Sequence, residues 1–156
     1  MRPIFEKYGG REIKTIGDGF LVDFASALNA VKCAYDIQRK ARDLNKSLPE
    51  ERRVQHRIWV HLGDVLDSAG DISGDAVNVA SRIESLADNG GVCLTRQVYD
   101  HVQNKFELPL LSLGLRSLKN VSTPLEVYKI LMPWDNSKGT SAMEHDTRRI
   151  AILPIR

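Results

Sequence analysis

The sequence predicts an α/β (α+β) domain in which helices pack on a sheet. Three observations predict it. Short β-branched, alternating runs bounded by Gly, Pro and Asn recur along the chain. Between them lie longer stretches with apolar residues at i, i+3, i+4 and i+7. A chain of 156 residues that is 42% hydrophobic is the size of one domain with a real core.

In order along the chain, Tyr8-Gly9-Gly10 is a turn signal. Arg11 to Ile16 alternates as a strand, Gly17-Asp18-Gly19 is a tight turn, and Phe20 to Phe24 is a second strand, so a hairpin forms with Asp18 at its tip. Asp18 suits the turn itself, and an exposed carboxylate on a rigid tip also suits a Mg²⁺ ion. Ser26 caps a helix running to about Leu44, with Ala27, Ala30, Val31, Ala34, Ile37, Ala41 and Leu44 as its apolar stripe. Asn45 to Arg53 is a polar loop. Gln55 to Leu62 is a strand with Ile58, Val60 and Leu62 on one side, and Val65-Leu66 extends it past Gly63-Asp64. His56 and His61 lack partners at metal-ligand spacing and are ordinary strand residues.

Ala69 to Ser73 is a loop that leads into a helix beginning near Gly74. Ala76, Val79, Ala80, Ile83 and Ala87 form its buried stripe, while Asp75, Asn78, Arg82 and Ser85 share another face. Asn78 and Arg82, one turn apart, offer an amide donor and a planar cationic fork. That pair suits an anionic ligand; the alternative is a solvated polar face. Asn89-Gly90-Gly91 ends the helix. Val92 to Leu94 is a strand, Thr95 caps a helix to about Lys105 with Val98 and Val102 inward, and Leu110 to Leu118 and Leu125 to Leu131 form a second hairpin. Residues 132–148 are polar and read as a linker. RIAILPI at 149–155 opens a new apolar strand, the first element of a second unit over 149–156.

The net charge of +2 gives no field for nucleic acid. No apolar run is long enough for a bilayer and the N-terminus lacks a signal-peptide pattern, so a cytoplasmic location is expected. Cys33 and Cys93 sit in apolar patterns, as small buried hydrophobes do. Zinc spacing, a P-loop and GxSxG are absent.

Five stretches together resemble the class III adenylyl/guanylyl cyclase catalytic domain: GGREIKTIGDGFLVDF at 9–24, HLGDVL at 61–66, GDISGDAVNVASRIESLA at 70–87, GGVCLT at 90–95 and LGLRSLKNVSTPLEVYKI at 113–130. The resemblance implies a ferredoxin-like nucleotide cyclase fold over 1–131. It also implies that ATP's 3′-hydroxyl attacks its α-phosphorus with two Mg²⁺ or Mn²⁺ ions, giving cyclic AMP and pyrophosphate. The site would lie between two catalytic domains, either a homodimer or this chain with another cyclase domain. By that resemblance Asp18 is a metal-binding aspartate, and Lys14 and Asp71 read the adenine edge. Asn78 and Arg82 orient the ribose and stabilise the pentavalent phosphorus, and Lys119 binds the terminal phosphates. The tail RRIAILPI resembles the first strand of a TolB-like domain.

The chain departs from the family pattern at its start. The family's first strand and helix, with the first metal aspartate, precede the position of Met1, and residues 1–10 contain no Asp. That strand lies inside the family's sheet. Its loss means that the remaining strands close up, that another chain fills the gap, or that the fragment is unstable. Three readings follow: a truncated cyclase domain with little activity alone, a non-catalytic nucleotide-binding or dimerisation module, and a half-site partner for a complete cyclase domain.

Overall fold

The computed structural model describes residues 2–16, 19–62, 66–68, 71–73, 90–117, 124–134 and 147–154, and for 14, 16, 66–68, 71–73 and 147–154 it describes the backbone. The elements are α1 (Arg2–Lys7), β1 (Arg11–Ile16), β2 (Gly19–Phe24), α2 (Ala27–Lys46), a 3₁₀ turn (Glu50–Arg52), β3 (Gln55–Val60), β4 (Leu66–Ser68), β5 (Asp71–Ser73), β6 (Val92–Thr95), α3 (Arg96–Val102), β7 (Leu110–Arg116), β8 (Leu125–Ile130) and β9 (Thr147–Pro154). Seven strands form one sheet in the order β1-β2-β9-β3-β6-β8-β7, and β4 pairs with β5 apart from it.

Short α1 ends where Gly9 takes φ +76, a conformation that costs an L side chain. Gly9 N–H donates to Glu6 O and Gly10 N–H to Phe5 O at 2.8 Å, closing a Schellman cap. Gly10 then crosses directly over Phe24. A Cβ there would sit 2.6 Å from the ring. Gly10→Ala is therefore expected to cost about 1–3 kcal/mol in urea unfolding through overpacking. In a Phe24→Leu background the same change should cost clearly less; equal costs in both backgrounds would refute the close-contact account.

The Ser26 cap is as expected: its Oγ accepts from Asn29 N–H at 3.2 Å. The α2 stripe differs at one end. Leu44 is 61% exposed, and Cys33, Asp36 and Gln38 are buried instead. Each polar member is satisfied. Gln38 Nε2 donates to His56 O and Gly91 O at 3.0 and 2.8 Å, tying α2 to β3 and to the residue before β6. Asp36 meets Arg39 at 2.7 Å, Lys40 at 3.3 Å and Lys7 of α1 at 3.6 Å. Burial pushes the Asp36 carboxyl up, but hydrogen bonds from Arg39 and Lys40 outweigh it and hold the group below its ordinary value. Cys33 is buried as expected, and burial pushes its thiol up to about 12, which makes it unreactive.

The three helices among the described residues pack on one face of the sheet. The core there runs through Phe5, Val31, Ile37 and Val98 against Val22, Ile58, Val60, Leu94 and Ile130. Leu21, Trp59, Cys93 and Val127 alternate with those strand residues and are buried too, so the central strands are apolar on both faces. Edge strand β7 has Leu111 and Leu115 exposed.

Two strand expectations change. Leu66 does not extend β3, because β4 pairs antiparallel with β5, Leu66 opposite Ser73 and Ser68 opposite Asp71. The stretch read as a loop over 69–73 thus contains β5. A three-residue strand is too short to show a period of two. The second change concerns the tail. The strand there starts at Thr147 and lies inside the sheet, parallel to β2 on one side and β3 on the other. The gap anticipated there is filled by this chain's own C-terminal segment, and 149–154 is here part of a central strand of the seven-stranded sheet. Its Ile-x-Ile pattern fits a position with apolar neighbours on both sides.

Candidate functional site

Of the residues singled out from sequence, the structure places Lys14 on β1 and Asp71 on β5. Asp18, Asn78, Arg82 and Lys119 lie outside the described residues, as does the helix expected from Gly74.

A bulge decides the position of Lys14. β1 and β2 pair Arg11 with Asp23 and Glu12 with Val22, then shift so that Lys14 stands opposite Leu21. Without the extra residue, 12 and 14 would share a face. With it, Glu12 falls in the row of Val22, on the helix side, where Arg2 of α1 holds it at 2.7 Å. Hydrogen bonding from Arg2 keeps the Glu12 carboxyl below its ordinary value. Lys14 falls in the row that crosses the sheet through Leu21, Ala151, Trp59, Cys93 and Lys129. β5 packs against β1, so the strands carrying Lys14 and Asp71 are neighbours although the two residues are far apart in sequence.

The carboxylates of the described part of the first hairpin are both engaged. Glu12 is bound to Arg2, and Asp23, 4% exposed, is bound to Arg11 at 2.9 Å. Among the described residues no group of three acidic, His or Cys side chains could hold a metal ion. Asp18, the ligand implied by resemblance, lies outside them.

Sequence reasoning missed a buried polar contact between the residue after β3 and the last residue of β6. Thr95, expected to cap α3, occupies the cap position but makes no side-chain cap bond. Its hydroxyl instead lies 2.9 Å from Nδ1 of His61, and both residues are buried. A Thr at a strand's end that also precedes a helix can serve either partner, and the sequence does not distinguish them. Burial pulls the His61 imidazole down to about 4. The folded chain thus holds His61 neutral while the unfolded chain protonates it near 6.5. Between those values the unfolded state binds more protons, so stability falls as pH falls from 6.5 through 4, by about 3 kcal/mol in all. Urea midpoints across that window should show the slope, and His61→Gln should remove it. A slope that persists in the variant assigns the pH dependence elsewhere.

Comparison with known proteins bears on the whole arrangement. Residues 1–130 match the family model of the adenylate and guanylate cyclase catalytic domain. The chain is 38% identical over 128 residues to "Putative adenylate cyclase 3" of Rhizobium meliloti, a match covering 82% of this chain and 22% of that protein. It therefore spans under a quarter of that relative's length. The solved "Adenylate/Guanylate Cyclase/Hydrolase" of Silicibacter pomeroyi superimposes with a TM-score of 0.74 at 33% identity, over 85% of this chain and 78% of that one. The adenylyl cyclase CyaB of P. aeruginosa shares the fold at 16% identity, with a TM-score of 0.59 over 92% of this chain and 79% of that one.

Proposed function

The chain belongs to the adenylate and guanylate cyclase catalytic-domain family, and from that premise we propose that it is an adenylate cyclase domain, making cyclic AMP and pyrophosphate from ATP. The observation that carries the choice of ATP is the packing of β5 on β1, which makes neighbours of the strands bearing Lys14 and Asp71. A Lys donor suits adenine's ring nitrogen and an Asp acceptor suits its exocyclic amine. Guanine reverses both demands, offering an acceptor where adenine has an amine and a donor where adenine has an acceptor.

In this reading Asn78 orients the ribose and Arg82 meets the charge that grows on the phosphorus. Lys119 holds the terminal phosphates. Asp18 serves the metal pair on which the family depends, and bound Mg²⁺ or Mn²⁺ supplies Lewis-acid chemistry. The described residues give no second carboxylate for such a pair, so the active form draws one from outside this chain's described part. A second cyclase catalytic domain, the same chain or another, is the partner. No helix among the described residues is long and apolar enough to cross a membrane, and the reading places the domain in the cytoplasm, where ATP is made available.

The test is nucleotide turnover with Mn²⁺, by the chain as given and by a version carrying its natural upstream sequence. ATP should be preferred over GTP by about tenfold or more, since a site with mismatched buried donors rejects the wrong partner strongly. Lys14→Glu with Asp71→Asn should move that preference toward GTP. Cyclic GMP as the main product of the unaltered protein would refute the assignment. The engagement of Glu12 and Asp23 by arginines favours a second reading, a nucleotide-binding module without a metal pair. Its signature is ATP binding that ignores divalent ions, with no cyclic product from either version.

A further inference from the structure

The hairpin of β4 and β5 stands outside the seven-stranded sheet. Among the described residues, its place is set by the packing of β5 on β1 and by the chain that leaves the end of β3 for Leu66. His61 is the first residue past β3 and stands five residues before Leu66. It is buried, and its Nδ1 lies 2.9 Å from the hydroxyl of Thr95, which is buried too. Thr95 is the last residue of β6, the parallel neighbour of β3. The ladder pairs Ile58 with Val92, Trp59 with Cys93 and Val60 with Leu94. The contact of His61 with Thr95 is the next step of that register. Side chains make it, at the point where strand pairing stops and the chain departs for β4.

Stability alone does not call for polar groups at this step. Both strands are apolar and buried up to it: Ile58, Trp59 and Val60 in one, Val92, Cys93 and Leu94 in the other. An aliphatic pair at 61 and 95 would extend the same core without taking an imidazole and a hydroxyl out of water. Thr95 also stands at the cap position of α3, and its hydroxyl forgoes the cap bond to meet His61. A hydrogen bond is directional where apolar contact is not, so it holds the ring, and the backbone that carries it, in one orientation. Orientation matters most at the root of a small hairpin, where a slight rotation at residue 61 is carried outward to residue 71.

We propose, on the reading that Lys14 and Asp71 meet the adenine edge, that His61 is a positioning residue for the base. Pinned by Thr95, it fixes the root of the β4–β5 hairpin and thereby the spacing between the strands that carry Asp71 and Lys14. His61 itself touches no nucleotide. Its bond to Thr95 keeps one donor and one acceptor at the separation that a single purine edge demands. A hairpin released at its root would carry Asp71 at varying distance from Lys14, and a misplacement of about 1 Å far from the chemistry is enough to cost up to about 10²-fold in rate.

The test measures affinity for 3′-deoxy-ATP and 3′-deoxy-GTP, which lack the hydroxyl that cyclisation needs, by calorimetry with Mn²⁺ in the protein carrying its natural upstream sequence. Thr95→Val keeps the side chain's shape and removes its hydroxyl. It should weaken 3′-deoxy-ATP about tenfold and 3′-deoxy-GTP little, so the preference for the adenine nucleotide falls. Thr95→Ser keeps the hydroxyl and should stay within about twofold of the parent. His61→Leu should match Thr95→Val, and the double variant should be no worse than either, since all three lose the same bond. Circular dichroism checks that each variant is folded, and Thr95→Ala replaces Thr95→Val should the valine variant fail to fold. A purely structural role would weaken both nucleotides alike. The proposal is overturned if the folded variants keep the parent's preference, or weaken both nucleotides equally, while Asp71→Asn still changes that preference. If Asp71→Asn leaves the preference unchanged as well, the adenine-edge reading fails and the proposal falls with it.

Discussion

Replacing Arg82 by alanine is expected to lower cyclic-nucleotide formation by about 10²–10³-fold, the usual cost of one preorganised donor at a developing charge. With the role proposed for Arg82, the loss should fall on kcat, with KM changing little, because negative charge at the phosphorus is largest in the transition state. Arg82→Lys should recover only part of the rate. A lysine restores the charge but not the planar fork that can bridge two oxygens. The measurement is steady-state turnover with Mn²⁺-ATP in whichever form of the protein is active, the chain as given or the chain with its upstream sequence. A loss below tenfold, or one confined to KM, would place Arg82 away from the reacting phosphorus. Asn78, four residues earlier in the sequence, should behave differently: with the ribose-orienting role proposed for it, part of the loss in Asn78→Ala should appear in KM.

Phe24→Ala is expected to cost about 3–5 kcal/mol, the largest stability loss among the changes considered. Phe24 is 1% exposed and lies under Gly10, which has no side chain with which to fill the space left behind. It also ends β2 opposite Pro154, where β2 and β9 finish together. The cavity would open at the junction of α1's cap, the hairpin and the central strand. For a domain of this size the melting temperature should fall by roughly 6–20 °C. A fall under about 2 °C would mean that the neighbouring side chains collapse into the space and that the contact with Gly10 is not tight.

Much of the fold was legible because its long elements carry strong periodicity. The 20-residue α2, its Ser26 cap, both long hairpins and the short β6 lie where the pattern puts them. Gly90 has a φ of +80, and the helix it was read as ending lies outside the described residues. The failures have physical causes. β5 is three residues long, below the length at which alternation is visible. Asp36 and Gln38 are polar residues inside an apolar face, and only their partners at positions 7, 39, 40, 56 and 91 explain them. Strand β9 was legible as a strand, but its neighbours were not. Partner choice in a sheet depends on which edges stand open, and that is a property of the assembled chain. Of the candidate site, the sequence supplied the residue types, and the structure added that the Lys14 and Asp71 strands are adjacent. The bulge that assigns Lys14 to its row leaves no mark in a run such as REIKTI.

The central position of β9 sets a clock on biosynthesis. Both of its neighbours are complete once Val60 has been made, but the strand between them begins at Thr147. At about 5–20 residues per second, a ribosome needs roughly 4–17 s to cover the distance. Throughout that interval β2 and β3 exist without β9, the strand that pairs with both of them in this fold. Slow codons between 60 and 147 would delay the moment at which β9 joins its two neighbours in the sheet.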